Sequence, residues 1–157
     1  MNIEKTTNAL TKEIVLRFLA THKLMAVATF GDFPWIASVY YTFDQDLNLY
    51  FLSSPTTLHA KHILRNSQVA VAIADSHQSI NETKRGLQLF GIAQQISGIA
   101  KIKHVLTLWK TNLGVVDPKL TYKVVIGSMF KITPKRIKLF DQELFKVEDG
   151  QEPVLEL

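Results

Sequence analysis

The chain has 157 residues, 46% hydrophobic and 20% charged, which fits one domain, 1–157, with a sizeable core, and leaves too little for a second. It contains no cysteine, which excludes disulfides, thiolate metal sites and a cysteine nucleophile. The formal charge of +4 is uneven: the acidic C-terminal tail, 141–157, holds six acids and one lysine, leaving 17 basic against 8 acidic residues in the first 140, a body suited to anionic partners.

The opening residues, "MNIEKTTNALTKE", lack the uninterrupted apolar stretch of a secretory leader, and no later run approaches the roughly 18 apolar residues of a membrane span. A cytoplasmic protein with no membrane partner is expected. Ile14, Val15, Phe18 and Leu19 recur at helical spacing and predict an amphipathic helix over 11–21. "LMAVAT" (24–29) and "WIASVYYTF" (35–43) are rich in apolar, β-branched and aromatic residues, and Gly31-Asp32 between them supplies the turn of a hairpin. A second turn at "DQD" (44–46) leads into the alternating strand "LNLYFL". "TTLHAKHILRN" predicts a short helix ending at Asn66, and "QVAVAIA" (68–74) another strand. After the polar loop "DSHQSINET", residues 85–96 form a long strand with Gly91 at a bulge or bend. Ile99, Ile102, Val105, Leu106 and Trp109 make one stripe of a helix over 98–112. "YKVVIGSMFKIT" and "RIKLF" predict two closing strands around Pro134. Short connections make these roughly seven strands mostly antiparallel, and a sheet of that size curls toward a barrel, giving a mainly β, α+β fold with three flanking helices.

Chemistry concentrates in "YFLSSPTTLHAKHILRN" (50–66). A strand that ends in serines and is followed by a helix starting near Thr56 or Thr57 presents unpaired N–H groups and the positive end of the helix dipole, which suits a phosphate. Either threonine can cap the helix or donate to an anion, and His59 and Lys61 lie within the next turn. The same residues also describe a capped, solvated surface helix. Other constellations are sparse. His59 and His62 share a helix face without a neighbouring acid, so no metal site is expected. Ser38 lacks nucleophile-elbow glycines, Gly86, Gly91 and Gly98 make no dinucleotide fingerprint, and no nucleic-acid motif stands among the scattered cations, so no nucleic-acid partner is expected.

The order of "LMAVAT", "PWIASVYYTFDQDLNLYFLSS", "TTLHAKHILRNSQVAVAI", "RGLQLFGIAQQI" and "SMFKITPKRIKLFD" resembles the pyridoxamine 5'-phosphate oxidase-like family of FMN-binding split barrels, including its small bacterial members of unassigned function. The resemblance implies an antiparallel split β-barrel with FMN as cofactor. Ile36, Ala37, Ser38 and Val39 would line the flavin ring, Leu52 and Ser53 its ribityl-phosphate turn, Thr57, His59 and Lys61 the phosphate, and Gln88 would reach the ring. By alternation Gln88 and Phe90 share one face of their strand, and Leu87 and Leu89 the other.

Two departures bear on function. The family's serine-x-basic unit falls on Thr57 and His59, so a pH-dependent imidazole stands where relatives carry a fixed cation, and Lys61 is the alternative. The C-terminal arginine-x-histidine unit that grips pyridoxine phosphate is missing, which argues against that substrate. The resemblance implies a flavin-dependent oxidoreductase of unknown substrate. A non-catalytic flavin- or haem-binding storage, sensor or stress protein is the alternative, with His59, His62, His77 and His104 as the possible axial ligands. It also implies a homodimer with flavin sites at its interface, for which "WIASVYYTF" and the helix carrying Trp109 are the candidate surfaces.

Overall fold

The computed structural model describes residues 9–114 and 117–157; the start of the opening segment read above as too polar for a leader, residues 1–8, lies outside them. Helix α1 (Lys12–Ala20) starts at Thr11, whose hydroxyl accepts the Ile14 N–H at 3.4 Å, and Glu13 complements the dipole of its first turn. It buries Val15, Phe18 and Leu19, one face of its apolar periodicity. The chain continues through β1 (Leu24–Phe30), β2 (Pro34–Tyr40), β3 (Thr42–Phe43), β4 (Leu49–Leu52), α2 (Leu58–Arg65), β5 (Gln68–Ala74), β6 (Arg85–Gln95), α3 (Ile99–Leu113), the single turn α4 (Tyr122–Val125), β7 (Met129–Asp141) and β8 (Val154–Glu156).

All strand pairs are antiparallel, in the order β2-β1-β5-β6-β7-β4-β3, with β8 added to β7. The two ends of that order, β2 and β3, are consecutive in the chain, and β2 also packs against β4. The sheet therefore curls back on its starting point, as a half-barrel with flanking helices. Its interior is filled by Val27, Val71, Leu87, Phe51, Phe130 and Ile132 together with the apolar face of α1. A second cluster, with Tyr50, Ile96 and Met129, lies under Ile102, Val105 and Leu106 of α3.

Several elements depart from the sequence reading. "WIASVYYTF" is two strands, because Tyr41 turns inward: its hydroxyl donates to the Leu19 carbonyl at 2.8 Å and its N–H to that of Lys23, pinning the chain to the α1 end. The two strands expected around Pro134 are one. Phe90 faces Arg136 and Gly91 faces Pro134, so Lys135 is the extra residue of a bulge, the place where a strand tolerates a residue without an N–H. Gly91, expected at a bulge or bend, is in that bulge; a Cβ there would come within 2.7 Å of the Thr133 carbonyl oxygen. "YKVV" is helical, and the strand begins at Met129, after Gly127 at φ 79 has reversed the chain. Ile99, placed on the buried stripe of α3, is 52% exposed. The acidic tail, read without secondary structure, contributes β8.

The turn between β3 and β4 shows how local polar chemistry sets the curl. Asp44 accepts the N–H groups of Asp46 and Asn48, the Asn48 amide and the Tyr50 hydroxyl. That network holds Leu47 at φ 69, an unusual backbone for a side chain that is fully buried.

Candidate functional site

Two features collect the candidate residues. The first is a groove on the outer face of the sheet. Alternation sends Met25, Val27 and Thr29 of β1, Val69, Val71 and Ile73 of β5, and Leu87 and Leu89 of β6 inward. What remains outside on β1 and β5 is largely alanine. The registers align two adjacent rows across five strands: Ser38, Ala26, Ala72, Gln88, Lys138, and Ile36, Ala28, Ala70, Phe90, Arg136. Methyl groups in the middle and larger side chains at either end leave a trough of about 420 Å³. Its floor is flat and apolar, the Gln88 amide makes no hydrogen bond within the described residues, and two cations close one end. Exposed Phe30 and Tyr40, on the same face of β1 and β2 as Ile36, extend the apolar surface, whereas exposed Trp35 pairs with Thr29 on the opposite face and packs against Phe33.

The second feature is the turn from β4 into α2. The Ser53 N–H donates to the Ser128 carbonyl at 2.7 Å, which fixes the backbone and leaves the hydroxyl to meet His59 Nε2 at 2.5 Å and Thr57 Oγ1 at 3.3 Å. Thr57 is the N-cap of α2, but its hydroxyl donates to the Ser54 carbonyl at 2.7 Å rather than closing the helix, and Thr56 bonds the Ser54 hydroxyl. The expected threonine cap is thus absent, and the first-turn N–H groups of α2 stay open to a ligand. Burial, and then the neighbouring His62, push His59 below the usual histidine range, so at neutral pH its imidazole is uncharged. Lys61 is exposed one turn on and is the fixed cation of this end.

His62 has another task. It is 4% exposed, its Nδ1 lies 3.0 Å from the buried Thr29 hydroxyl, and Phe33 packs edge-on to its ring. A Cβ on Gly31 would collide with it at 2.5 Å. It fastens α2 beneath the β1–β2 hairpin, and so does not share the setting of His59.

The sequence-derived residues therefore sort cleanly. Ile36 and Gln88 meet in the groove, and Ser38 stands in the Gln88 row. Ala37 and Val39 pair with Val27 and Met25 on the opposite face of β2, so they offer only backbone to the outer face. Ser53, Thr57 and His59 meet at the α2 turn, beside half-buried Leu52. The two groups do not line one cavity; β2, which packs against both α2 and β4, is the element between them. Gln88 itself is exposed rather than buried. Sequence reasoning missed Arg136, Lys138 and the alanine floor. "AVAT" and "AVAIA", with a small residue at every second position, carried a signal for the floor. Among the described residues no group of three metal-ligating side chains converges, and no helix is long and apolar enough to cross a membrane.

No protein-family model and no curated protein matches the chain. Solved structures do. A conserved hypothetical protein of Mycobacterium tuberculosis is similar with a TM-score of 0.72 at 15% identity, over 89% of this chain and 90% of that one. A Listeria innocua protein provisionally named a pyridoxamine 5'-phosphate oxidase matches with a TM-score of 0.62 at 20% identity, over 82% and 96%. The haem storage protein HutZ of Vibrio cholerae matches with a TM-score of 0.60 at 14% identity, over 80% and 91%. The curled antiparallel sheet, its flanking helices and these likenesses together identify the fold as the split barrel of pyridoxamine 5'-phosphate oxidase-like proteins.

Proposed function

We propose that this protein binds FMN and serves as a flavin-dependent oxidoreductase. The observation that carries this reading is the α2 turn, where two hydroxyls, an imidazole and an open helix N-terminus converge at the end of a strand, a donor set suited to a phosphate monoester. Ser53 would donate to the phosphate oxygens, Thr57 would do so once its hydroxyl leaves the Ser54 carbonyl, the first-turn N–H groups of α2 would complete the cradle, and Lys61 would supply a fixed charge beside the pH-dependent one of His59. Ile36 and the alanine methyls offer a planar ring an apolar face, and the unbonded Gln88 amide offers its polar edge a partner. Bound FMN supplies hydride or electron transfer, so the chain needs to hold and screen it rather than provide an acid–base pair. The groove contains no histidine, cysteine, methionine or tyrosine. An axial iron ligand would therefore have to come from outside this lining, whereas a flavin needs none, which favours flavin over the haem named for the Vibrio cholerae neighbour.

A second copy of the chain is the proposed second wall. Phe30, Ile36 and Tyr40 on one face of the β1–β2 hairpin and Trp35 with Phe33 on the other are all exposed, so this sheet edge offers apolar side chains to a partner on both sides. Of the two surfaces expected for the interface, β2 exposes the larger apolar side chains; on the helix, Trp109 itself is 8% exposed within its own chain and Ile99 52%.

The absorption spectrum of the purified protein tests the cofactor: flavin bands near about 370 and 450 nm are expected, and a Soret band near about 400 nm alone would overturn the assignment. Sedimentation at low micromolar concentration tests the dimer. A 17.8 kDa particle with flavin still bound would refute a site shared between copies.

A further inference from the structure

We propose that Arg136 and Lys138 form an anion-binding end of the groove, and that the acidic tail occupies this end with Glu156 and Glu152 until the acid group of a groove ligand displaces them. The proposal rests on the groove being a binding surface, as in the functional reading above, and names the class of molecule that enters it: a flat apolar body carrying one carboxylate, sulfonate or phosphate.

The strand registers carry the argument. Arg136 and Lys138 sit two apart on β7, so they share a face, and that face is the groove's. The opposite edge of the same stretch of β7 is where β8 adds on, with Glu156 directly across from Arg136 and Val154 across from Lys138. The row that runs Ile36, Ala28, Ala70, Phe90, Arg136 thus gains a sixth member, and it is a carboxylate. Arg136 Nε meets Glu156 Oε1 at 2.7 Å, and Lys138 Nζ lies 3.4 Å from Glu152 Oε2. No other ion pair engages either cation among the described residues. The tail, with six acids to one lysine, is in effect a counter-ion tethered to a basic body.

These contacts hold the cations weakly. The Arg136 pair is about two-thirds exposed on both sides, and solvent screens such pairs. The Glu152 pair is more enclosed, yet Glu152 Oε2 is buried and accepts no hydrogen bond, so Lys138 is near it without bonding alignment. β8 itself is three residues on a sheet edge. An anion delivered by a body already held in the groove, stacked over the flavin when that is bound, would present its charge to both cations at once, which neither tail carboxylate does.

The test uses the full-length chain and two fluorescent probes of similar shape, anilinonaphthalene sulfonate and uncharged phenylnaphthylamine. Glu152→Gln with Glu156→Gln should tighten the sulfonate by about fivefold and leave the neutral probe within about twofold. Arg136→Gln with Lys138→Gln should weaken the sulfonate and abolish the gain from the tail variant. An exchanged pair, Arg136→Glu with Glu156→Arg, keeps the β7–β8 ion pair while turning a carboxylate into the groove, and should lose the sulfonate without loosening the tail. A tail variant that leaves the sulfonate unchanged, or shifts both probes alike, overturns the proposal. FMN titration of the same proteins separates it from the functional reading: no FMN binding with the probe pattern intact would end the flavin assignment alone, and FMN binding with inert tail variants would end this proposal alone.

Discussion

Strands β1 and β5 carry two faces made from opposite choices of side-chain size. Inward, Val27, Val69, Val71 and Ile73, continued by Leu87 and Leu89 of β6, fill space and are all but inaccessible; outward, Ala26, Ala28, Ala70 and Ala72 leave it empty. The backbone is common to both, so strand propensity does not separate them. Alanine is a poor strand former beside valine or isoleucine, and four of them side by side in the centre of a sheet give up cross-strand packing. What the sheet gains is a flat floor between larger end walls. The difference teaches that in a half-barrel the inner face specifies the fold and the outer face can specify what lies on it.

Neighbouring positions on the two faces give the sharpest way to break that contrast. Leu87→Ala, on the inner face, should destabilise the protein by about 2–5 kcal/mol in chemical denaturation, the usual cost of emptying a fully buried leucine site. Ala70→Leu, on the outer face, should leave stability within about 1 kcal/mol and reduce FMN affinity by at least about tenfold by raising the floor. Equal loss of stability in both would show the outer face to be as much a part of the fold as the inner one.

Much of this division was legible in the sequence. The 2-residue period of "GLQLFG" separated Gln88 and Phe90 from their leucine neighbours without saying which face is the inner one, and Gly91 was expected at an irregularity. What stayed hidden depends on partners distant in sequence. The break at Tyr41 is set by a hydrogen bond to the Leu19 carbonyl, 22 residues earlier. Arg136 and Lys138 reach the groove only because a bulge at Lys135 shifts the register against β6, and without that shift each would face the other side. The strand in the tail was obscured by its acids, which read as solvated until Arg136 is found opposite Glu156. The α2 turn was visible as a set of hydroxyls and cations, but the Thr57 hydroxyl is claimed by the Ser54 carbonyl, an acceptor whose position no periodicity encodes.

The contrast between groove and α2 turn should appear as a contrast between ring and phosphate. Lys61→Glu is expected to weaken FMN by about tenfold, or about 1.4 kcal/mol, while leaving riboflavin unchanged, as measured by titration of the apoprotein. Equal binding of FMN and riboflavin to the unaltered protein would remove the phosphate from α2. Gln88→Leu should do the reverse at smaller amplitude, altering the affinity of both flavins alike by about threefold or shifting the bound flavin's potential. If neither changes, Gln88 does not reach the ring.

The smallest effect concerns His59, and its sign is fixed by its surroundings. The imidazole is held below its ordinary value of 6.5 by burial and by His62, and it faces only the hydroxyls of Ser53 and Thr57, with no carboxylate among its hydrogen-bond partners. Its folded-state pKa is therefore lower than its unfolded one. As pH falls through about 6.5 the unfolded chain takes up the proton first, so stability present at neutral pH is progressively lost until the folded form is protonated as well. His59→Gln, which keeps a hydrogen-bonding group near Ser53, should flatten the stability profile between about pH 7 and pH 5. A phosphate at the same turn acts in the opposite direction, because its charge favours the imidazolium and raises the pKa. FMN binding should then take up a proton, measurable as a dependence of the calorimetric heat on buffer ionisation enthalpy, and FMN affinity should rise as pH falls from about 8 toward 6.5 while riboflavin affinity stays level. Proton uptake that is the same for both ligands would place the phosphate away from His59 and return the open end of α2 to the role of an ordinary surface helix.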